Sequence, residues 1–340
     1  MRTTSLVGSL LIVTLAGFGV FGGAPTLRGS GLANGREAAQ SQDNQQVPQA
    51  SGTVKVQTTL VNVFATVRDK HNAIISDLTK DYFKIYEDGV EQKVAFFAKE
   101  SDMPITLGIL MDTSGSMYNI MDAEKDAASR FVREIMRKKD EAVVISFDTD
   151  VNLLADFTED PAELTRAMRR ATVNVDASGV GGTPGTVPTQ GGGTNLYDAI
   201  YLACHDELAT EAGRKAVIVL SDAEDTGSKL SLDEAIEAAQ RADAVIHVIL
   251  IQDPGAISGV GGSVASDMAR ETGGRVIAVR NDKSLEKAFD EISEELRSQY
   301  VLGYTPTNSA HDGTFRKIKV EVSRPDTKIL ARRGYYAPGH

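Results

Sequence analysis

Cysteine is nearly absent from this chain of 340 residues. Cys204 is the single cysteine, so no intramolecular disulfide can form and stability must come from a packed core. A cysteine inside a helical pattern is more often a buried apolar side chain than a reactive nucleophile. We therefore expect a buried, unreactive thiol at this position.

Positive charge is also scarce. Lys and Arg number 36 against 47 Asp and Glu, which gives a net charge of −11. Proteins that bind nucleic acid or an anionic membrane surface by charge carry a basic excess or a basic patch. The composition therefore argues against both kinds of partner, and it is compatible with cation binding.

The motifs of nucleotide and hydrolase chemistry are missing as well. The glycine-rich segment 179–193 lacks the Gly-Lys-Ser/Thr ending of a phosphate-binding loop, and 259–263 lacks the third glycine of a dinucleotide fingerprint. A serine hydrolase would need a Gly-x-Ser-x-Gly elbow, which does not occur. The five histidines are scattered, and His247 lies inside an apolar strand pattern, where we expect a satisfied interior residue. We predict no nucleotide site and no catalytic residue.

The longest apolar run is shorter than an ordinary membrane span. An uncharged, mostly apolar stretch extends from Leu6 to Phe21 after a basic start, and small residues follow it. This arrangement is typical of a secretory signal. We predict a signal peptide over 1–24 and an exported protein, periplasmic or secreted, with an uncleaved membrane anchor as the alternative. Residues 25–52 are predicted to be a disordered linker because they are rich in Gly, Gln, Asn and Ser.

Strand patterns flank a central region in which strands and helices alternate. Apolar strands separated by amphipathic helices predict a doubly wound α/β fold, with a mainly parallel sheet covered on both faces. Three residues join the strand candidates 142–147 and 151–157, so these two must form a hairpin with one antiparallel edge strand. The flanking segments 53–100 and 299–338 are each too short to bury a face alone. We predict that they pair into one small all-β domain, with the α/β unit at 103–297 inserted between them.

Oxygen-bearing side chains collect where the parallel strands are predicted to end. The residues are Asp112, Ser114, Ser116, Thr194 and Asp222. Asp112 and Asp222 each end a strand candidate, and Thr194 directly precedes a helix candidate. Open α/β sheets bind ligands at this edge, and carboxylate and hydroxyl oxygens without His or Cys suit Mg²⁺ or Mn²⁺. The sequence therefore predicts a divalent-cation site. Other acidic residues nearby are expected to be loop carboxylates (Asp148, Asp150, Asp225) or at most a support for Thr194 (Asp198).

The series Asp112-x-Ser114-x-Ser116, Thr194 and Asp222 resembles the metal-ion-dependent adhesion site (MIDAS) of von Willebrand factor type A domains, in the same order. The flanks resemble exported bacterial proteins of the acidobacterial type that carry a related domain. The resemblance implies a Rossmann-like fold and a cation, Mg²⁺ or Mn²⁺ in preference to Ca²⁺, held by these residues. It also implies one coordination position open to a partner. Ala223 departs from the pattern, since such domains often have glycine there.

A cation that few carboxylates neutralise still attracts an external Asp or Glu. The leading hypothesis is an exported protein-binding or adhesion module, not an enzyme, whose protein partner presents an acidic side chain. A metal-dependent hydrolase or phosphatase is one alternative, because Mg²⁺ can polarise a phosphoryl oxygen. A structural component of an envelope complex is another. The long segment 172–193 is either a loop that selects the partner or an irregular insertion.

Overall fold

The structure is a computed structural model that describes residues 60–100, 103–174, 193–252 and 261–339. The predictions made for 1–24, for 25–52, for the start of 53–100 and for most of 172–193 lie outside these residues. In chain order the strands of the described residues are β1 (Val61–Asp69), β2 (Phe83–Glu87), β3 (Val90–Gln92), β4 (Val94–Glu100), β5 (Ile105–Asp112), β6 (Glu141–Phe147), β7 (Val151–Thr158), β8 (Arg214–Ser221), β9 (Ala244–Ile251), β10 (Val276–Val279), β11 (Gln299–Tyr304), β12 (Phe315–Val322), β13 (Thr327–Ala331) and β14 (Gly334–Tyr336). The helices are α1 (Met121–Ile135), α2 (Pro161–Arg170), α3 (Leu196–Tyr201), α4 (Leu232–Ala242), α5 (Gly261–Thr272) and α6 (Asp282–Leu296).

The central part of the sequence forms a six-stranded sheet in the order β10-β9-β8-β5-β6-β7. Its neighbours are parallel except at one edge, where β7 runs antiparallel to β6. Helices α1, α2 and α6 pack on one face and α3, α4 and α5 on the other. The predicted doubly wound, mainly parallel sheet with one antiparallel edge strand is confirmed.

Burial explains why these segments adopt their structures. Every residue of β5 and β9 is buried, as expected for parallel strands covered on both faces. Helix α4 begins with a capping box, in which the Ser231 hydroxyl accepts a hydrogen bond from Glu234 N and the Glu234 carboxylate accepts one from Ser231 N. Cys204 is buried as predicted, and burial raises the pKa of its thiol to about 12. His247 is buried too, but its ring nitrogens have no hydrogen-bond partner within the described residues, contrary to the expectation of a satisfied side chain.

The segments before and after the α/β unit pair with each other in two four-stranded sheets, ordered β13-β1-β11-β4 and β14-β12-β2-β3. β1 pairs antiparallel with β11 and β13, and β2 pairs antiparallel with β12. The two sheets share one core, in which the Phe83 ring lies 5.0 Å from the Tyr300 ring between centroids. The predicted pairing of the two flanking segments is therefore confirmed. No helix in the described ranges is long and apolar enough to cross a membrane.

Candidate metal centre

The first predicted element of the site is the turn that follows β5. Asp112 is the last residue of this buried strand, and its Oδ1 accepts a hydrogen bond from Ser114 N at 2.9 Å. This Asx turn redirects the chain and places the next hydroxyls beside the carboxylate. The Oγ atoms of Ser114 and Ser116 lie 3.0 Å apart. The sequence Asp-x-Ser-x-Ser therefore forms one compact group of oxygen atoms.

Asp112 is fully buried, which makes its carboxylate unusual. Desolvation raises its pKa to about 6, although hydrogen bonds from Ser114 and Ser221 act in the opposite direction. The charge of Asp222 adds to the increase, so the two predicted carboxylates lie within electrostatic range of each other. A divalent cation at this position would lower the pKa again, because a cation is the largest charge in such a site.

The second element, the loop after β8, is joined directly to the first. The Ser221 hydroxyl donates a hydrogen bond to Asp112 Oδ2 at 2.5 Å and accepts one from Ala223 N at 2.9 Å. Asp222 is partly exposed, and its Oδ1 accepts a hydrogen bond from Glu224 N. Ser221 thus orients the buried carboxylate while the next residue presents a second carboxylate near the surface.

Ala223 adopts the left-handed conformation with φ at +58°. This explains the glycine that the related pattern often has there, since a Cβ costs about 1–2 kcal/mol in that region. Gly261 at the start of α5 packs against the same loop, because a Cβ added to it would lie 2.1 Å from the Asp222 carbonyl oxygen. The backbone around Asp222 is therefore held by a close approach that only glycine allows.

The third element carries Thr194 immediately before α3. Thr194 is buried, its N donates a hydrogen bond to Thr226 Oγ1 at 3.0 Å, and its carbonyl accepts from Thr226 N and Gly227 N. Asn195 N donates to the carbonyl of Asp148, whose Oδ2 accepts from Thr113 Oγ1 at 2.8 Å. Hydrogen bonds therefore connect the Thr194 segment to both of the other elements.

The remaining acidic residues act in loop structure. Asp148 is the link just described, and Asp150 N donates a hydrogen bond to its Oδ1. Asp225 accepts hydrogen bonds from Tyr197 N and Ser228 Oγ. Asp198 accepts from the backbone N of Lys229 and Leu230, so it supports the loop that follows Asp222.

The five predicted ligands have the chemistry of a hard-cation site. Two carboxylates and three hydroxyls are the oxygen ligands that Mg²⁺ and Mn²⁺ accept, and none of the five is a thiol or an imidazole. Within the described residues no group of three or more His, Cys, Asp and Glu side chains could hold a metal ion. A cation here would therefore depend on the hydroxyls as much as on the carboxylates.

Sequence reasoning missed two residues close to this group. Ser221 gives no separate signal, because a serine at a strand end is common in any loop. Glu124 in α1 is fully buried, and neither of its carboxylate oxygens has a hydrogen-bond partner in the part of the chain that the structure describes. The sequence does mark this residue, because Glu124 is an acidic side chain at a helical spacing that otherwise carries buried residues such as Met121 and Ala128.

The fold and these loops define a doubly wound α/β domain with a cluster of oxygen donors at the carboxyl edge of its sheet. Residues 107–224 match the family model described as the von Willebrand factor type A domain. This part of the chain is therefore similar to von Willebrand factor type A domains. All five predicted ligands lie inside the matched residues.

Several solved structures are similar to this chain. The conserved hypothetical protein BatB from Bacteroides thetaiotaomicron is 19% identical, with 57% of this chain and 100% of BatB covered and a TM-score of 0.42. The von Willebrand factor domain of the type V pili tip protein Mfa5 from Porphyromonas gingivalis is 16% identical, with 57% and 95% covered and a TM-score of 0.42. Proximal thread matrix protein 1 from the mussel byssus, with a zinc-occupied MIDAS motif, is 14% identical, with 62% and 49% covered and a TM-score of 0.48. The chain thus spans about half of the mussel protein. No curated protein matches it.

Proposed function

We propose that this chain is an exported protein-binding module that uses a divalent cation to bind an acidic side chain of a protein partner. The cation is Mg²⁺ or Mn²⁺, held by the five residues of the MIDAS pattern: Asp112, Ser114, Ser116, Thr194 and Asp222. The observation that carries the proposal is the buried Asp112 carboxylate, which is bonded to Ser114 and Ser221 at the point where the loops meet. Export is proposed from the basic and then apolar start of the sequence.

Charge balance supports a role in binding a carboxylate. Three of the five proposed ligands are neutral hydroxyls, so the ligand set does not saturate a doubly charged ion. Such an ion keeps a net positive charge and attracts an external carboxylate. The partner's Asp or Glu then completes the coordination.

The surroundings of the site support binding over catalysis. Asp148, Asp198 and Asp225 each accept hydrogen bonds from backbone or hydroxyl groups that hold the loops in place. A hydrolase would require a base free to accept a proton from water, and these three carboxylates are already engaged in loop hydrogen bonds. Tyr118, two residues beyond Ser116, leaves 66% of its surface exposed, and exposed aromatic side chains of this kind are enriched in protein interfaces.

Titration calorimetry with Mg²⁺ and with Mn²⁺ tests the proposed ligands. We expect tight binding to the wild type and a loss of affinity of about 100-fold or more in Asp112→Asn and Ser114→Ala, since the first removes the charge of a ligand and the second removes a ligand oxygen. Asp150→Asn is the matched control, because it removes an exposed carboxylate of a neighbouring loop and should leave the affinity unchanged. Equal affinity in all four proteins would contradict the site.

Partner binding is tested by a pull-down from cell-envelope extract with and without a chelator. We expect a protein that is captured with Mg²⁺, is released by the chelator, and is not captured by Asp112→Asn. Capture that survives the chelator, with the domain folded, would instead support the structural alternative.

A further inference from the structure

Glu124 is a buried carboxylate for which the protein itself supplies no partner within the described residues. It lies in the first turn of α1 with no exposed surface, and neither of its Oε atoms has a hydrogen-bond partner. Buried carboxylates are almost always paired with a cation or hydrogen-bonded, because an isolated charge in the interior is strongly unfavourable. Asp122 and Asp126 of the same helix are exposed and meet no such difficulty. Glu124 therefore needs an explanation that its neighbours do not.

The position of Glu124 relates it to the cation site. α1 begins shortly after the Asp112–Ser116 turn, and its first residues lie at the same edge of the sheet. Burial raises the pKa of Glu124 well above its usual value, and the charge of Asp112 raises it further. The charge of Lys125 acts in the opposite direction with a smaller effect. Two buried acidic groups thus interact electrostatically, and both can be ionised together only with a positive charge nearby.

The helix itself does not account for this arrangement. The N-terminal end of α1 favours negative charge, but that effect is small and fades within the first turn. It does not replace the hydration that a fully buried carboxylate loses. Exposed acidic residues at the same end, such as Asp122, receive the same benefit without the cost of burial.

We propose that Glu124 is a positioning residue of the cation site. Its carboxylate would supply a second buried negative charge to a cation held by Asp112 and the other four residues, without being one of the ligands. The outward coordination position is left to the partner. This inference rests on the cation site of the proposed function and adds a residue that lies outside the five of the MIDAS pattern.

Calorimetry on Glu124→Gln tests the proposal, because glutamine keeps the shape of the side chain and removes its charge. We expect about a 10- to 100-fold weaker affinity for Mg²⁺, the usual effect of changing a residue that supports a metal ligand. Glu134→Gln is the matched control, since it removes the same charge from the exposed side of the same helix. Its affinity should stay within about twofold of the wild type.

Thermal unfolding separates this role from a purely structural one. In a chelator, Glu124→Gln should unfold at the same or a higher temperature than the wild type, because an unpaired buried carboxylate has been removed. With saturating Mg²⁺ the order should reverse. A loss of thermal stability that is equal with and without Mg²⁺ would make Glu124 a structural residue and overturn the proposal.

The pattern across variants identifies which claim fails. If Asp112→Asn loses Mg²⁺ binding while Glu124→Gln binds as tightly as the wild type, the role of Glu124 is wrong and the cation site stands. If both variants bind as tightly as the wild type, the cation site itself is wrong.

Discussion

Buried charged residues are compensated differently at the two ends of the parallel strands, here called the carboxyl edge and the amino edge of the sheet. At the carboxyl edge, Asp112 and Glu124 are two buried acidic side chains, and Glu124 has no hydrogen-bond partner within the described residues. At the amino edge, buried charges occur in pairs. Glu295 there accepts hydrogen bonds from Arg68 at 2.7 Å and from Arg275 at 3.4 Å.

One of the ion pairs at the amino edge connects the α/β unit to the strands of the flanking segments. Arg68 belongs to β1, whereas Glu295 belongs to α6, so their ion pair connects the β sheets to the α/β unit. Arg297 similarly bonds to Asp140, which also accepts a hydrogen bond from Ile105 N at the start of β5. The amino edge thus uses charge to fix the fold, whereas the carboxyl edge leaves negative charge for a ligand to balance.

Breaking a pair at the amino edge should give the largest change in stability. Glu295→Gln leaves buried Arg68 without its carboxylate partner, which typically costs about 3–5 kcal/mol, whereas Arg275 keeps Glu291 at 3.0 Å. Urea denaturation measures this loss, and Mg²⁺ affinity should be unchanged. Glu237→Gln is the control, because Glu237 and Arg241 form an exposed pair on α4, where such pairs contribute about 0–1 kcal/mol. If Glu295→Gln left the free energy of unfolding unchanged, the contrast between the two edges would be wrong.

At the carboxyl edge, acidification should stabilise the metal-free protein through Asp112. In the metal-free protein the pKa of Asp112 is raised from 3.8 to about 6, so between these values the folded state binds protons more tightly than the unfolded chain. The free energy of unfolding should therefore rise, by up to about 3 kcal/mol, as the pH is lowered from about 6 to about 4.

Denaturation in a chelator at a series of pH values measures this response, with Asp112→Asn as the control that should lack this contribution. With saturating Mg²⁺ the slope should reverse, since the cation prefers the deprotonated carboxylate. Stability that falls on acidification in the wild type without metal, and equally in Asp112→Asn, would contradict this account of Asp112.

The backbone around Asp222 offers a smaller test of the same edge. Gly261→Ala places a Cβ 2.1 Å from the Asp222 carbonyl oxygen, so the loop must move, at a cost of about 1–3 kcal/mol. Calorimetry should show weaker Mg²⁺ binding. Gly262→Ala is the matched control, because its added Cβ would meet only the Leu250 side chain at 3.9 Å. Equal effects of the two substitutions would show that Gly261 does not hold the loop.

The smallest effect is expected at Ala223. Ala223→Gly relieves the left-handed backbone at φ +58° but gives the unfolded chain more freedom, and these contributions of about 1 kcal/mol each nearly cancel. Thermal unfolding and calorimetry should both give values close to the wild type. A tenfold change in Mg²⁺ affinity would mean that Ala223 alters the site and is not a tolerated departure from the family pattern.

Local patterns in the sequence predicted most of the α/β unit, because burial on both faces leaves long apolar strands and amphipathic helices. Boundaries were harder to predict. Apolar spacing continues a helical pattern over 121–138, yet α1 ends at Ile135, where Arg137 N donates a hydrogen bond to Asp140 Oδ2 and Lys139 turns to φ +78°. No helix-breaking residue marks that end. The helix that follows Thr194 continues into a π-helical part, Leu202–Leu208, for which hydrophobic spacing gives no clear signal.

The site was predictable where its residues follow one another and less so where it depends on contacts between distant segments. Asp112, Ser114 and Ser116 form a contiguous pattern, and the structure places their turn beside the loop that carries Asp222. The bond from Ser221 to Asp112 joins residues more than a hundred positions apart, and only the register of β5 and β8 brings them together. The arrangement of the flanking strands in two sheets is equally a product of distant pairing.

The most direct test of the cation site is anomalous diffraction from crystals of this protein soaked in Mn²⁺. We expect a Mn²⁺ peak bounded by Asp112, Ser114 and Ser116, near Thr194 and Asp222, that is absent in Asp112→Asn. Ordered loops with no peak there, or a peak that persists in Asp112→Asn, would contradict it.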